Sequence, residues 1–141
     1  MIKAISLNET DLIQSFLSSA GDSLKSFRYF NKRPLSVISN HLVTALLLTD
    51  GMPPLGYGHL DKEADDIWLG IAIAEAARGT GMGKLMMQYL MLTADKHKLK
   101  LIKLTVDKEN TVAIQLYTQF GFSIVKELNE FSLLMECIKQ H

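Results

Sequence analysis

Apolar positions recur along this chain at two periods, and the alternation between them predicts most of its elements. Ile2 to Leu7 alternates in part and reads as a strand. Asn8 or Thr10 can cap a following helix, in which Leu12, Ile13, Phe16 and Leu17 fall at helical spacing and which Gly21 ends. Asp22 to Phe30 predicts a second helix carrying Leu24, Phe27 and Phe30, with Pro34 as its stop. Leu42 to Thr49 is strand-like. Asp50-Gly51 signals a hairpin that Pro53-Pro54 lengthens, with Leu55 to Leu60 as the returning strand. A polar turn from Lys62 to Asp66 leads into Ile67 to Ile73, an apolar strand containing Trp68.

The next helix spans Gly81 to His97, with Met86, Leu90 and Ala94 on one stripe and Met87 and Met91 beside it. Leu99 to Val106 is another strand. Asn110 opens a short helix whose Val112, Ala113, Leu116 and Phe120 are expected to face the core, and Gly121 ends it. Phe122 to Leu128 and Phe131 to Ile138 form a closing hairpin around Asn129-Glu130. The order β-α-α-β-β-β-α-β-α-β-β places the chain in the α/β class, of the α+β type. It predicts a mixed, mostly antiparallel twisted sheet flanked by helices. The two strands joined by the Gly81–His97 helix are expected to be parallel and connected right-handedly.

Composition narrows the picture. The 141 residues suit one domain spanning 1–141, and 48% apolar with 21% charged residues is ordinary for a globular protein. Fifteen basic residues balance fifteen acidic ones, which argues against nucleic acid as the main partner. The single cysteine, Cys137, has no partner for an intramolecular disulfide and fits a reducing compartment. No signal-peptide pattern opens the chain and no apolar run reaches the length of a membrane span, so a cytoplasmic address is expected, with no membrane partner. No cluster of His, Cys or carboxylate residues has metal-ligand spacing; His97 and His141 sit in polar positions and are assigned no role.

The chemistry concentrates in Arg78-Gly79-Thr80-Gly81-Met82-Gly83-Lys84, a glycine-rich turn that follows a strand and opens a helix. A nucleoside-triphosphate P-loop fails twice: Leu85 follows Gly83-Lys84, and Arg78 stands where the first glycine is needed. A dinucleotide fingerprint fails on spacing, with Lys84 in place of the last glycine. Two readings remain. One is a tight strand-to-helix turn with no ligand. The other is a pyrophosphate cradle, in which bare N–H groups and the helix dipole meet an anion and Arg78 and Lys84 add positive charge.

Arg78-x-x-Gly81-x-Gly83 resembles the coenzyme A signature of the GCN5-related N-acetyltransferase (GNAT) family. Asn110, Ala113, Leu116, Tyr117, Gly121 and Phe122 resemble that family's second block, at a spacing that leaves room for one helix and one strand between the two. The resemblance implies acetyl-CoA as donor, with coenzyme A as product, and a parallel strand pair splayed at the cofactor site. The residues it assigns to the cofactor are Ile71, Ala72 and Ile73, the run Arg78 to Lys84 (Gly79, Thr80, Gly81, Met82 and Gly83 between them), and Asn110, Ala113 and Tyr117. It implies direct acyl transfer to an amine, with a backbone N–H from Leu69–Ile73 holding the oxyanion and Tyr117 protonating the leaving thiolate. Gly70 either marks a bulge that admits the cofactor or relieves packing beside Trp68. Asn110 is also a natural helix cap, and Tyr117 could equally be a core aromatic.

For the general base, His59 has a suitable pKa and lies on the strand expected beside the glycine-turn strand, although a half-buried, hydrogen-bonded histidine explains it as well. Glu75 and Asp61 are weaker candidates, and a water relay would need no single base. In the resembled family the acceptor pocket is formed by the segment after the first helix and by central strands. Here those positions hold Arg28, Tyr29, His41 and His59. Arg28, Lys32 and Arg33 among aromatics suggest an anionic, ring-containing acceptor such as a nucleotide-linked amino sugar; an amphipathic segment with a solvated basic edge is the plainer alternative. The expected protein is an N-acetyltransferase acting on a small-molecule primary amine. A non-catalytic acyl-CoA sensor and an O-acyltransferase are its rivals. An exposed C-terminal edge strand would allow pairing into a homodimer.

Overall fold

A computed structural model describes residues 1–140; His141 lies outside the described residues. One seven-stranded sheet organises the chain, in the order β1-β2-β3-β4-β5-β7-β6. The strands are β1 (Ile2–Ala4), β2 (His41–Leu47), β3 (Gly56–Glu63), β4 (Asp66–Ile73), β5 (Leu101–Asp107), β6 (Ser123–Glu127) and β7 (Ser132–Ile138). Among the described residues three α-helices accompany them: α1 (Thr10–Ser19), α2 (Met82–Lys96) and α3 (Thr111–Gln119). Every neighbouring pair is antiparallel except β4 and β5, which are parallel and share a single paired position, Trp68 with Lys103.

The sheet is covered on both faces, so its central strands carry apolar residues on both sides. On one face the expected stripe of α2, Met86, Leu90 and Ala94, packs with Leu60, Ile102 and Leu104. Gly58 permits that approach, because a Cβ there would stand 2.6 Å from the Met86 Sδ. On the other face Ile13 and Phe16 of α1 pack with Leu46, Tyr57 and Ala72.

The predicted helix over Asp22–Phe30 does not form. The chain instead runs through short 3₁₀ turns at Gly21–Lys25, Tyr29–Asn31 and Leu35–Asn40. The cause is the aromatic pattern. Phe27 and Phe30 lie 5.2 and 5.5 Å from the Tyr57 ring, and Tyr29 lies 4.3 Å from His59. In an α-helix, residues two apart point to opposite sides, so Phe27 and Tyr29 would not both reach the sheet. A second correction concerns α3: Val112 is 77% exposed rather than in the core, and Tyr117 is the buried residue of that helix. Gly121 ends α3 as expected, at φ +93°.

Candidate active site

The divergence of β4 from β5 creates the site. The Ala74 N–H bonds to the Leu55 carbonyl across the β3–β4 register. By strand alternation Ala72 and Gly70 therefore bond toward β3, while Ile71 and Ile73 turn their N–H groups to the other edge. β5 has already parted from that edge beyond Trp68, leaving the Ile71 N–H directed into the gap. A cleft of about 1740 Å³ opens there, lined by both edges, the glycine turn and the start of α3.

The glycine turn has the conformation that its residues predict. Gly79 and Gly81 stand at φ +74° and +83°, where side chains are strained, and no atom lies within 4 Å of a Cβ built at either. The first intrahelical bond of α2 runs from the Leu85 N–H to the Gly81 carbonyl. The N–H groups of Met82, Gly83 and Lys84 have no partner among the described residues, as a helix start requires unless something caps it. Gly83 sits against α3; its Cβ would come 3.2 Å from the Leu116 Cδ2. Arg78 donates to the Ser23 Oγ at 3.2 Å, the Ser23 hydroxyl in turn donates to the Ile73 carbonyl, and the guanidinium has no carboxylate partner among the described residues. Unpaired N–H groups, a helix N-terminus and a free guanidinium fit a pyrophosphate-bearing ligand.

Opposite, Asn110 caps α3, its Oδ1 accepting the Ala113 N–H at 3.3 Å, and its amide nitrogen is left for the cleft that the residue lines. Tyr117 also lines the cleft, 7% exposed, and its hydroxyl has no hydrogen-bond partner among the described residues. Burial pushes its pKa well above the usual tyrosine value, so it holds its proton throughout the physiological range.

The other end of the cleft is a buried polar cluster that joins three sequence-predicted residues, Tyr29, His41 and His59, with Asp61. Proton accounting fixes its hydrogen bonds. The Tyr29 hydroxyl donates to the Asp61 Oδ2 at 2.7 Å. Its one proton being committed, it accepts from the His41 Nε2–H at 2.8 Å, and the His41 Nδ1 accepts from the Thr44 hydroxyl at 2.8 Å. Burial lowers the His41 pKa to about 4, against the opposing pull of Asp61, so this imidazole is neutral. The Tyr57 hydroxyl, fully buried, finds its acceptor in the His59 Nδ1 at 2.6 Å. His59 is therefore the Nε2–H tautomer. Burial first, then the neighbouring His41 and the Arg33 charge, hold its pKa well below the ordinary histidine value.

Several sequence expectations change here. His59 presents an N–H donor rather than a basic lone pair, so the base role does not suit it. Gly70 neither bulges nor relieves Trp68. It keeps its register opposite His59, and a Cβ there would overlap the imidazole, within 2.6 Å of Cε1. His41 does not line the cleft; its side chain is fully buried behind Tyr29. Thr80 and Lys84 lie outside the lining too, whereas Ile71, Ala72, Ile73, Arg78, Gly79, Gly81, Met82, Gly83 and Ala113 belong to it. Glu75 accepts the Asp22 N–H at 2.8 Å and braces the turn after α1, away from the cleft. Arg28 is bound in a two-point pair with Asp107 at 2.8 and 3.2 Å, which consumes the charge expected to meet an anionic acceptor. Asp107 and Phe131 also line the cleft, and sequence reasoning assigned them nothing. The position of Asp107, three residues before Asn110, was the available signal.

The Acetyltransferase (GNAT) family model matches residues 11–122. The chain belongs to the GNAT acetyltransferase family. As a GNAT acetyltransferase it is an acyltransferase, and its family uses acetyl-CoA. A search of curated proteins finds no match to its sequence. Solved structures show the GNAT fold in full. The GNAT domain of S. lividans PAT superposes with a TM-score of 0.80 at 12% identity, over 98% of this chain and 89% of that one. The Thermoplasma acidophilum PaiA N-acetyltransferase, solved with coenzyme A, gives 0.74 at 16% identity over 99% of both chains. The ribosomal-protein-S18-alanine N-acetyltransferase of Escherichia coli gives 0.70 at 18% identity, over 100% of this chain and 96% of that one.

Proposed function

We propose that this GNAT protein is an acetyl-CoA-dependent N-acetyltransferase that moves acetyl directly to the primary amine of a small molecule within a ternary complex. The observation that carries the reading is the unpartnered, protonated Tyr117 hydroxyl, buried in the same cleft as the Ile71 N–H and the free N–H groups of α2. A binding-only sensor has no use for a buried proton donor at that place.

Acetyl-CoA would supply an activated acetyl thioester. Arg78 and the N–H groups of Met82, Gly83 and Lys84 would hold its pyrophosphate, and the Asn110 amide would bond its arm. The Ile71 N–H would serve as oxyanion donor. Tyr117 would hold a proton for the leaving sulfur. His59, as an Nε2–H donor above Gly70, would orient the acceptor, and the acceptor's proton would leave through water rather than to one side-chain base. An amine with no anionic group suits the site better than a nucleotide-linked amino sugar, because Arg28 is paired with Asp107 and Arg33 with Glu63. The lone, buried Cys137 supports a reducing, cytoplasmic setting.

A thermal-shift titration tests the reading, with ATP and NAD as controls. A ligand at 100 times its dissociation constant adds about 2.7 kcal/mol, a rise of several degrees. Stabilisation by acetyl-CoA alone supports it. No shift for folded, ligand-free protein sinks it.

A further inference from the structure

At the acceptor end of the cleft lies a fully buried side-chain oxygen that has no hydrogen-bond partner among the described residues. Asp61 is 1% exposed and lines the cleft, yet its Oδ1 has no hydrogen-bond partner among the described residues. Its other oxygen is fixed by Tyr29, Tyr29 is fixed by His41, and His41 is held in turn by Thr44. The His41 Nε2 lies 3.9 Å from Oδ1 but gives its proton to Tyr29, so it does not satisfy that oxygen. A buried carboxylate oxygen without a donor is costly, and a scaffold that orients it while leaving it bare suits a ligand that brings the donor.

The surrounding charges select the donor's sign. Arg28 is paired with Asp107, Lys25 with Asp22, and Arg33 with Glu63. Arg33 also lies over the Tyr29 ring, 4.3 Å from its centroid. His41 and His59 are neutral by burial. Each of these cations has its own carboxylate, while three carboxylates lining the cleft have no Lys or Arg partner among the described residues: the exposed Glu109 and Glu130, and Asp61, the one that is buried. The other end, with Arg78 and the start of α2, is positive. The cleft is polarised, suited to an anion at the glycine turn and a cation at Asp61.

The position excludes the reacting amine as that cation. Asp61 pairs with Trp68, three residues along β4 from Ile71, which at about 3.3 Å per residue is roughly 10 Å from the oxyanion donor. The group held at Asp61 is separate from the group acetylated. We infer that the acceptor carries a second, non-reacting ammonium, and that Asp61 recognises it. This rests on the acetyltransferase reading above. Asp61 selects among acceptors, while Tyr29, His41 and Thr44 position it.

The test compares three acceptors of like length with the intact protein and acetyl-CoA: cadaverine, n-pentylamine, and aminocaproate, in which a carboxylate replaces the second ammonium. Cadaverine should exceed pentylamine in kcat/KM by about tenfold or more, and aminocaproate should be the poorest. Asp61→Asn should erase the preference for cadaverine through KM, leaving kcat and acetyl-CoA binding unchanged. Equal use of cadaverine and pentylamine by the native protein overturns the inference. So does an Asp61→Asn variant that loses kcat equally on both amines, because that is a base role. If no acceptor turns over, calorimetry on the coenzyme A-loaded protein decides: cadaverine bound and pentylamine not supports the assignment, and neither bound ends it. Protein that binds acetyl-CoA yet ignores cadaverine refutes only this inference. Protein that does not bind acetyl-CoA refutes the acetyltransferase reading and this one together. The native comparison stands even if Asp61→Asn fails to fold.

Discussion

Tyr117 and Gly70 carry the sharpest consequences at single residues. Tyr117→Phe keeps the ring, and with it the packing against Phe122 at 6.1 Å, and removes only the hydroxyl. Turnover should fall about 100-fold or more with acetyl-CoA affinity unchanged, as steady-state kinetics beside calorimetry would show. A variant retaining full kcat would remove Tyr117 from the chemistry. Gly70→Ala drives a methyl group into the His59 imidazole. The strained pairing should lower stability by about 1–3 kcal/mol in denaturant unfolding and weaken acceptor use before acetyl-CoA binding. An unchanged unfolding midpoint would show that His59 yields freely.

The glycine turn and α2 act as one element. Gly81→Ala places a side chain at φ +83°, which favours a shift of the turn and so of the N–H groups it aims. Acetyl-CoA affinity should fall by more than tenfold, with a stability loss of about 1 kcal/mol, and equal affinity would show that the turn's shape does not matter. The elements also show where sequence pattern succeeds. The stripe Met86, Leu90, Ala94 is long and strictly periodic, and α2 follows it. Asp22–Phe30 is short, and its aromatics satisfy a helical period only in part. Tertiary contact with Tyr57 and His59 overrode that weak signal. Val112 was read as core together with Ala113, Leu116 and Phe120, but it stands at the open cleft and is exposed.

The whole molecule has a predictable acid limb. His41 titrates near 4 when folded and near its ordinary value, about 6.5, when unfolded. Between those values the unfolded chain binds protons that the folded chain refuses, so stability falls as pH drops from about 6.5 toward 4 and is flat with respect to this group above that window. His59, shifted the same way, adds to the loss. Melting temperature followed from pH 7.5 to 4.5 should decline through this window, and imidazole NMR signals should report both rings neutral at pH 6. A melting temperature constant over that range would contradict the buried, neutral cluster.

Local pattern was enough to read the strand order and every element but the second helix, the parallel connection, the glycine turn and the cap at Asn110, because each depends on neighbours in the chain: an apolar period, a positive φ, a side chain three residues from an N–H. The site's chemistry depended on contacts between distant segments. His59 was read either as a base or as a histidine bonded to a neighbour, and its bond to the buried Tyr57 hydroxyl favours the second. Arg28 was read either as part of an anion receptor or as part of a solvated basic edge, and Asp107, brought across the cleft, pairs with it. Asp61 was a minor candidate until Tyr29 and His41 closed around it and left one oxygen bare. A residue's type states which charges and protons it can carry. Burial and partners decide which of these it does carry, and both arise only when the chain closes on itself.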